Sequence, residues 1–127
     1  MKLSKLALMG LAFSVLSAPT AFAGDADAGK KVFRKCKACH VADSDKNRVG
    51  PSLQGVIGRS VASYDTFTKY SGAMKDWGVG KTWTDEQFLE FVAAPKDVVP
   101  GTKMAFKGLK KDEDRANVLA YLKSVAQ

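Results

Sequence analysis

The sequence is short of the residues from which most metal and redox sites are built: it has two cysteines and one histidine in 127 residues. Two cysteines allow one disulfide at most, which excludes the multiply bridged framework common in small exported domains. No second Cys/His pair exists, so a four-ligand structural zinc site is excluded. Alternation of apolar and polar residues at strand period is absent, and with it the βαβ setting of a thioredoxin-like dithiol. There are no internal repeats or low-complexity tracts. Beyond the first 23 residues there is no long apolar run, and hence no candidate membrane span. The formal net charge of +7 suggests nucleic acid at first sight, but no aromatic-interleaved basic ribbon accompanies it.

What is present begins with a leader. Lys2 and Lys5 precede an apolar stretch from Leu6 to Leu16, and Ala21-Phe22-Ala23 has the small-x-small pattern of a cleavage site. This is the layout of a secretory signal peptide, with an apolar core too short for a permanent span. Residues 1–23 are therefore expected to be removed, leaving a single exported, soluble domain, 24–127. A domain of that size buries a modest apolar fraction and is marginal without a staple. The two cysteines lie three positions apart, and closing so short a loop would stabilise it only weakly.

The mature chain reads as all-α. Asp25 or Asp27 is positioned to cap a helix running through "AGKKVFRKCKACH", with acids first and bases later, as the helix dipole prefers. Residues 41–59 carry the Gly, Pro, Asn and Asp of turns, and 62–77 reads as one or two short helical turns. Thr84 and Gln87 have capping-box spacing before Phe88, Phe91 and Val92, and Pro95 ends that helix. "DEDRANVLAYLKSVA" opens on an acidic cap and sets Val118, Leu119, Leu122 and Val125 on one stripe. Three main helices plus short helical turns and long loops result. Loops of such length in a small domain are expected to wrap a large apolar object.

"CKACH", residues 36 to 40, holds both cysteines and the only histidine. On a helix Cys36, Cys39 and His40 project from nearly one face. This C-x-x-C-H spacing is that of c-type haem attachment, in which two thiols add to the vinyl groups and the imidazole ligates iron. With one histidine in the chain, methionine, lysine or nothing is left for the other face of the iron. Met104 follows Pro100-Gly101, a turn that sets up a strap able to lay a thioether across a ring; Met74 has no such device and reads as a packing residue. A His/Met pair saturates the iron and raises its potential, which suits one-electron transfer.

The motifs "GKKVFRKCKACH", "VGPSLQGVIGR", "TW" before a helix, "PKDVVPGTKMAF" and "VLAYLKS" occur in an order that resembles the class I cytochromes c, closest in character to the bacterial cytochrome c2 group. The resemblance spans Gly24 to Gln127. It implies one covalent haem c on Cys36 and Cys39 and iron ligation by His40 and Met104. It gives the Pro51 carbonyl the His40 ring N–H, and places Thr102, Trp83, Tyr70 and Arg59 around the haem propionates. Gly29 and Phe33 would meet Val118 and Tyr121 of the last helix. One departure is Phe91, thirteen residues before Met104, where the family often has a tyrosine whose hydroxyl bonds the methionine sulfur. Taken singly, Trp83 and Tyr70 are equally core aromatics, Arg59 a surface charge and Pro51 a turn residue; their order favours the functional roles.

The implied function is electron transfer rather than catalysis: a monomeric periplasmic carrier between a bc1-type donor and a photosynthetic reaction centre or terminal oxidase. Lys35, Lys37, Lys96 and Lys103 would ring the exposed haem edge and dock acidic partners in transient contact at a membrane surface. The rival is a ligand-handling haem protein, to which Phe91 lends weight.

Overall fold

The computed structural model describes residues 23–126 and, ahead of them, Ser14; the rest of the expected leader lies outside the described residues. Five α-helices are joined by loops: α1 (Ala26–Val32), α2 (Gly72–Gly78), α3 (Asp85–Ala93), α4 (Pro95–Val98) and α5 (Asp112–Ser124), with a 3₁₀ turn over Phe33–Lys35. The only β pairing among the described residues is one isolated antiparallel bridge, Ser60 to Thr82. No described helix is long and apolar enough to cross a membrane.

Local chemistry accounts for most helix ends. The Asp25 carboxylate accepts from the Asp27 and Ala28 amides, satisfying two of the amides a helix start leaves open. Ser71 caps α2 by accepting from Met74 N at 3.0 Å. Thr84 Oγ1 accepts from Gln87 N at 3.1 Å, but the reciprocal half of the expected capping box is missing. Gln87 turns instead to Glu90, and Thr84 N donates to the Thr82 carbonyl at 2.8 Å. Pro95 stops α3 and then serves as the first residue of α4, a position where its missing N–H is harmless.

Two expectations are corrected. The first helix does not continue regularly through the cysteines: it ends at Val32, tightens into the 3₁₀ turn, and passes through 36–39 as turns. The acids of α5 are not its cap. Lys111 holds that position without a side-chain bond, and Asp112, Glu113 and Asp114 occupy the first turn, where negative charge favours the dipole.

α1 packs mainly against α5, and α3 also leans on α5. Gly29 makes the first crossing possible, since a Cβ there would lie 1.9 Å from the Asn117 carbonyl oxygen. Around it Phe33 meets Tyr121 at 5.4 Å between ring centroids, and the Asp25 amide donates to Asn117 Oδ1 at 2.8 Å. Val118, Leu119 and Leu122 are buried as the sequence pattern implies, while Val125 is half-buried. Each such side chain fully withdrawn from water contributes about 1.5–3 kcal/mol. The core continues through Trp83, Phe88, Phe91 and Val92 to Val99 and Leu109.

Candidate functional site

The site starts from one helical turn. Cys39 N and His40 N both donate to the Cys36 carbonyl, at 3.1 and 2.9 Å. The α-like geometry is thus kept over the motif although the regular helix has ended. No disulfide joins the two cysteines. Burial, reinforced by Cys39, raises the Cys36 thiol to about 11 against a smaller lowering by Lys35. No group of three or more His, Cys, Asp or Glu among the described residues could hold a metal ion.

His40 is oriented on two sides. Its Nδ1 donates to the Pro51 carbonyl at 2.7 Å, leaving Nε2 as the free ring nitrogen. Gly50 lies against the ring so closely that a Cβ would sit 2.4 Å from Cε1. The 41–53 loop is pinned to the motif by Gly50 N to the Cys39 carbonyl, 2.8 Å, and closed on itself by Leu53 N to the Val41 carbonyl, 2.7 Å. Burial lowers the His40 pKa, opposed in part by the bond to Pro51. The ring is therefore neutral at pH 7, the state in which a histidine ligates.

Arg59 and Tyr70 come together through Tyr64, which the guanidinium overlies and whose amide donates to the Tyr70 hydroxyl. The Arg59 guanidinium donates to the Ser52 carbonyl at 2.8 Å and to the Gln54 carbonyl, and lies 4.2 Å over the Tyr64 ring. Burial lowers its pKa. The Tyr70 hydroxyl accepts from Tyr64 N at 3.2 Å, and its ring meets Phe67 edge-on at 4.8 Å. Trp83 is buried, with its amide donating to the Arg59 carbonyl and its carbonyl accepting from Gly58 N. Thus Arg59, Tyr70 and Trp83 belong to one connected network.

The strap carrying Met104 leaves α4 through Pro100 and Gly101, whose φ of +89° favours glycine. Thr102 Oγ1 accepts from Met104 N at 3.2 Å, so this hydroxyl braces the strap itself. Met104 is half-buried, as are Leu53, Ile57, Met74 and Phe106, all packed against the core. Lys35, Lys37, Lys96 and Lys103 are exposed.

Three contributors escaped the sequence reading. Arg48 Nη1 donates to the Lys37 carbonyl at 2.7 Å, bracing the turn between the cysteines. Gly50 makes room for the His40 ring by lacking a side chain, a role signalled only by its place before Pro51. Trp77 joins Trp83 and Phe91 in a ring cluster; its spacing from Met74 hinted at a shared helix face, but not at what that face meets.

Two unjoined thiols one turn apart, an imidazole held with Nε2 free, the side-chain-free backbone at Gly50 and a collar of half-buried apolar residues fit a covalently held haem c. The family model described as Cytochrome c matches residues 26–126. Cytochrome c-554 of Methylosinus trichosporium is 50% identical over 113 residues, covering 88% of this chain and 83% of its own length. Cytochrome c2 of Rhodoblastus acidophilus is 50% identical over 101 residues, 79% of this chain and 92% of that protein. Among solved structures, cytochrome cH from Methylobacterium extorquens superposes with a TM-score of 0.73 at 42% identity, over 80% of this chain and 99% of that one. The chain belongs to the cytochrome c family: it is a class I electron-carrying cytochrome resembling c2, with one haem c held through Cys36 and Cys39.

Proposed function

We propose that this protein is a periplasmic one-electron carrier with His40 and Met104 as axial ligands, formed by cleavage after Ala23 as the domain 24–127. The observation that carries the reading is the 2.7 Å bond from His40 Nδ1 to the Pro51 carbonyl. It fixes the tautomer and enriches Nε2 as a donor, the arrangement of a permanent metal-binding imidazole. The bound haem supplies the ferric/ferrous couple. The residues would hold their positions while the charge changes: Thr102 braces the Met104 strap, Gly50 leaves room for the imidazole, and Arg59, Tyr70 and Trp83 would stabilise the propionates. A site so fixed needs little rearrangement per electron, which favours transfer over catalysis.

The exposed Lys35, Lys37, Lys96 and Lys103 would dock acidic partners: a bc1-type donor, and a photosynthetic reaction centre or terminal oxidase as acceptor. Such contacts weaken as salt screens them, so the bimolecular rate to a bc1-type complex should fall steeply with ionic strength. A rate independent of salt would remove the lysine ring from the reading.

Phe91, buried and without a hydroxyl to offer Met104, favours one rival, an openable iron that handles small ligands. Carbon monoxide added to the reduced protein separates the two. An unchanged visible spectrum supports closed His/Met ligation, whereas rapid conversion to the carbonyl form supports the rival.

A further inference from the structure

Trp77 is a large aromatic to which the sequence assigns no role, and it touches two residues that have one. Its ring centroid lies 5.9 Å from that of Trp83 and 6.0 Å from that of Phe91, and these two are themselves 5.1 Å apart. The three rings form a closed triangle, each tilted against the others, the geometry aromatic pairs prefer. Lys81 fastens the triangle from outside. Its Nζ donates to the Trp77 carbonyl at 2.8 Å and stands 5.1 Å from the centroid of the indole. Lys81 is itself held at its backbone, donating to the Gly78 carbonyl and accepting from Val61 N, each at 2.9 Å. The helix that carries Trp77 also leans on the Met104 strap. A Cβ added at Gly101 would come within 3.3 Å of Ala73 Cβ, so α2 and the strap are neighbours there.

We infer that Trp77, clamped by Lys81, is a positioning residue for the iron site: it holds Phe91 and Trp83 in place by packing and so keeps the Met104 strap closed. Phe91 has no hydroxyl with which to secure the methionine sulfur, and ring packing from behind replaces that hydrogen bond as the restraint. The inference rests on the proposed Met104 ligation. Loss of the Trp77 ring frees Phe91 to turn and releases α2 from its anchor beside the strap, giving Met104 room to leave the iron. Trp83 loses a wall as well, which changes its stance toward the propionates and with it the reduction potential.

The test uses the haem-loaded protein with Trp77→Ala and Trp77→Phe. The rate of carbonyl formation by the reduced form, the sulfur-to-iron charge-transfer band of the oxidised form and the midpoint potential are measured for each. Trp77→Ala should form the carbonyl at least about tenfold faster than the parent, with a weakened charge-transfer band and a shifted potential. Trp77→Phe, which keeps a ring in the triangle, should restore parental behaviour. If Trp77→Ala does not load haem, Trp77→Leu gives the same comparison, with apolar volume but no ring. A parent that resists carbon monoxide together with a ring-less variant that resists it equally overturns this inference alone. Rapid carbonyl formation by the parent itself overturns the Met104 ligation, and this inference with it.

Discussion

Gly29→Ala tests whether the α1–α5 crossing holds the domain. The new Cβ would lie 1.9 Å from the Asn117 carbonyl oxygen and 2.8 Å from Tyr121 Cβ, where ordinary contact begins at 3.4 Å. Two of the three nearest atoms are backbone, so no side-chain rotation relieves the clash and α1 must back away by roughly 1.5 Å. Forcing a packed interface apart in this way costs about 3 kcal/mol, the upper end for an inserted methyl. Against it stands a gain of about 1 kcal/mol, since alanine favours helix over glycine. The net loss of about 2 kcal/mol corresponds to a fall of about 10 °C in the melting temperature of a domain this size. The assay is a thermal melt of the haem-loaded protein followed by far-ultraviolet circular dichroism, with Gly72→Ala as control, because a Cβ there meets nothing within 4 Å. The control should melt at or slightly above the parental temperature. A Gly29→Ala protein melting within about 2 °C of the parent would refute the claim that the crossing admits no side chain.

Asp25→Ala removes the acceptor for the Asp27 and Ala28 amides and should cost about 1 kcal/mol, read from denaturant melts; no change would mean that water replaces the cap. Asn117→Ala leaves the Asp25 amide without its partner and should lower stability by about 1–3 kcal/mol by the same measurement. Tyr70 has its pKa raised above the usual 10.0, chiefly by burial, with the Tyr64 amide and Arg59 opposing. Its contribution to stability is thus present below pH 10.0 and is lost as pH rises through the folded value; Tyr70→Phe should flatten that alkaline decline, and an unchanged slope would place its cause elsewhere. The chain without haem should be largely unfolded by circular dichroism, because residues 41–71 contain no regular helix; a cooperatively melting haem-free form would contradict this.

The parts of the site that were legible are those close together in sequence. Cys36, Cys39 and His40 span five positions, so their spacing alone carries the chemistry. The Pro51 carbonyl was reachable through the family motif, and its bond to His40 is present. The capping box was half right, because a spacing rule cannot tell whether Gln87 will turn back to Thr84 or forward to Glu90. The sequence pattern implies too long a first helix because charge and apolar spacing continue past Val32 while the backbone tightens to 3₁₀. Trp77 was opaque for a different reason. Its role depends on Trp83 and Phe91, and that triangle is closed only by the fold.

The contact between Asp25 and Asn117 joins residues 92 positions apart, so the first and last helices are each other's anchor. Pulled from its two ends, the domain would therefore yield first at this crossing, with the force bypassing the loops that carry His40 and Met104. Tension would peel α1 and α5 apart like a clasp before it reached the cofactor.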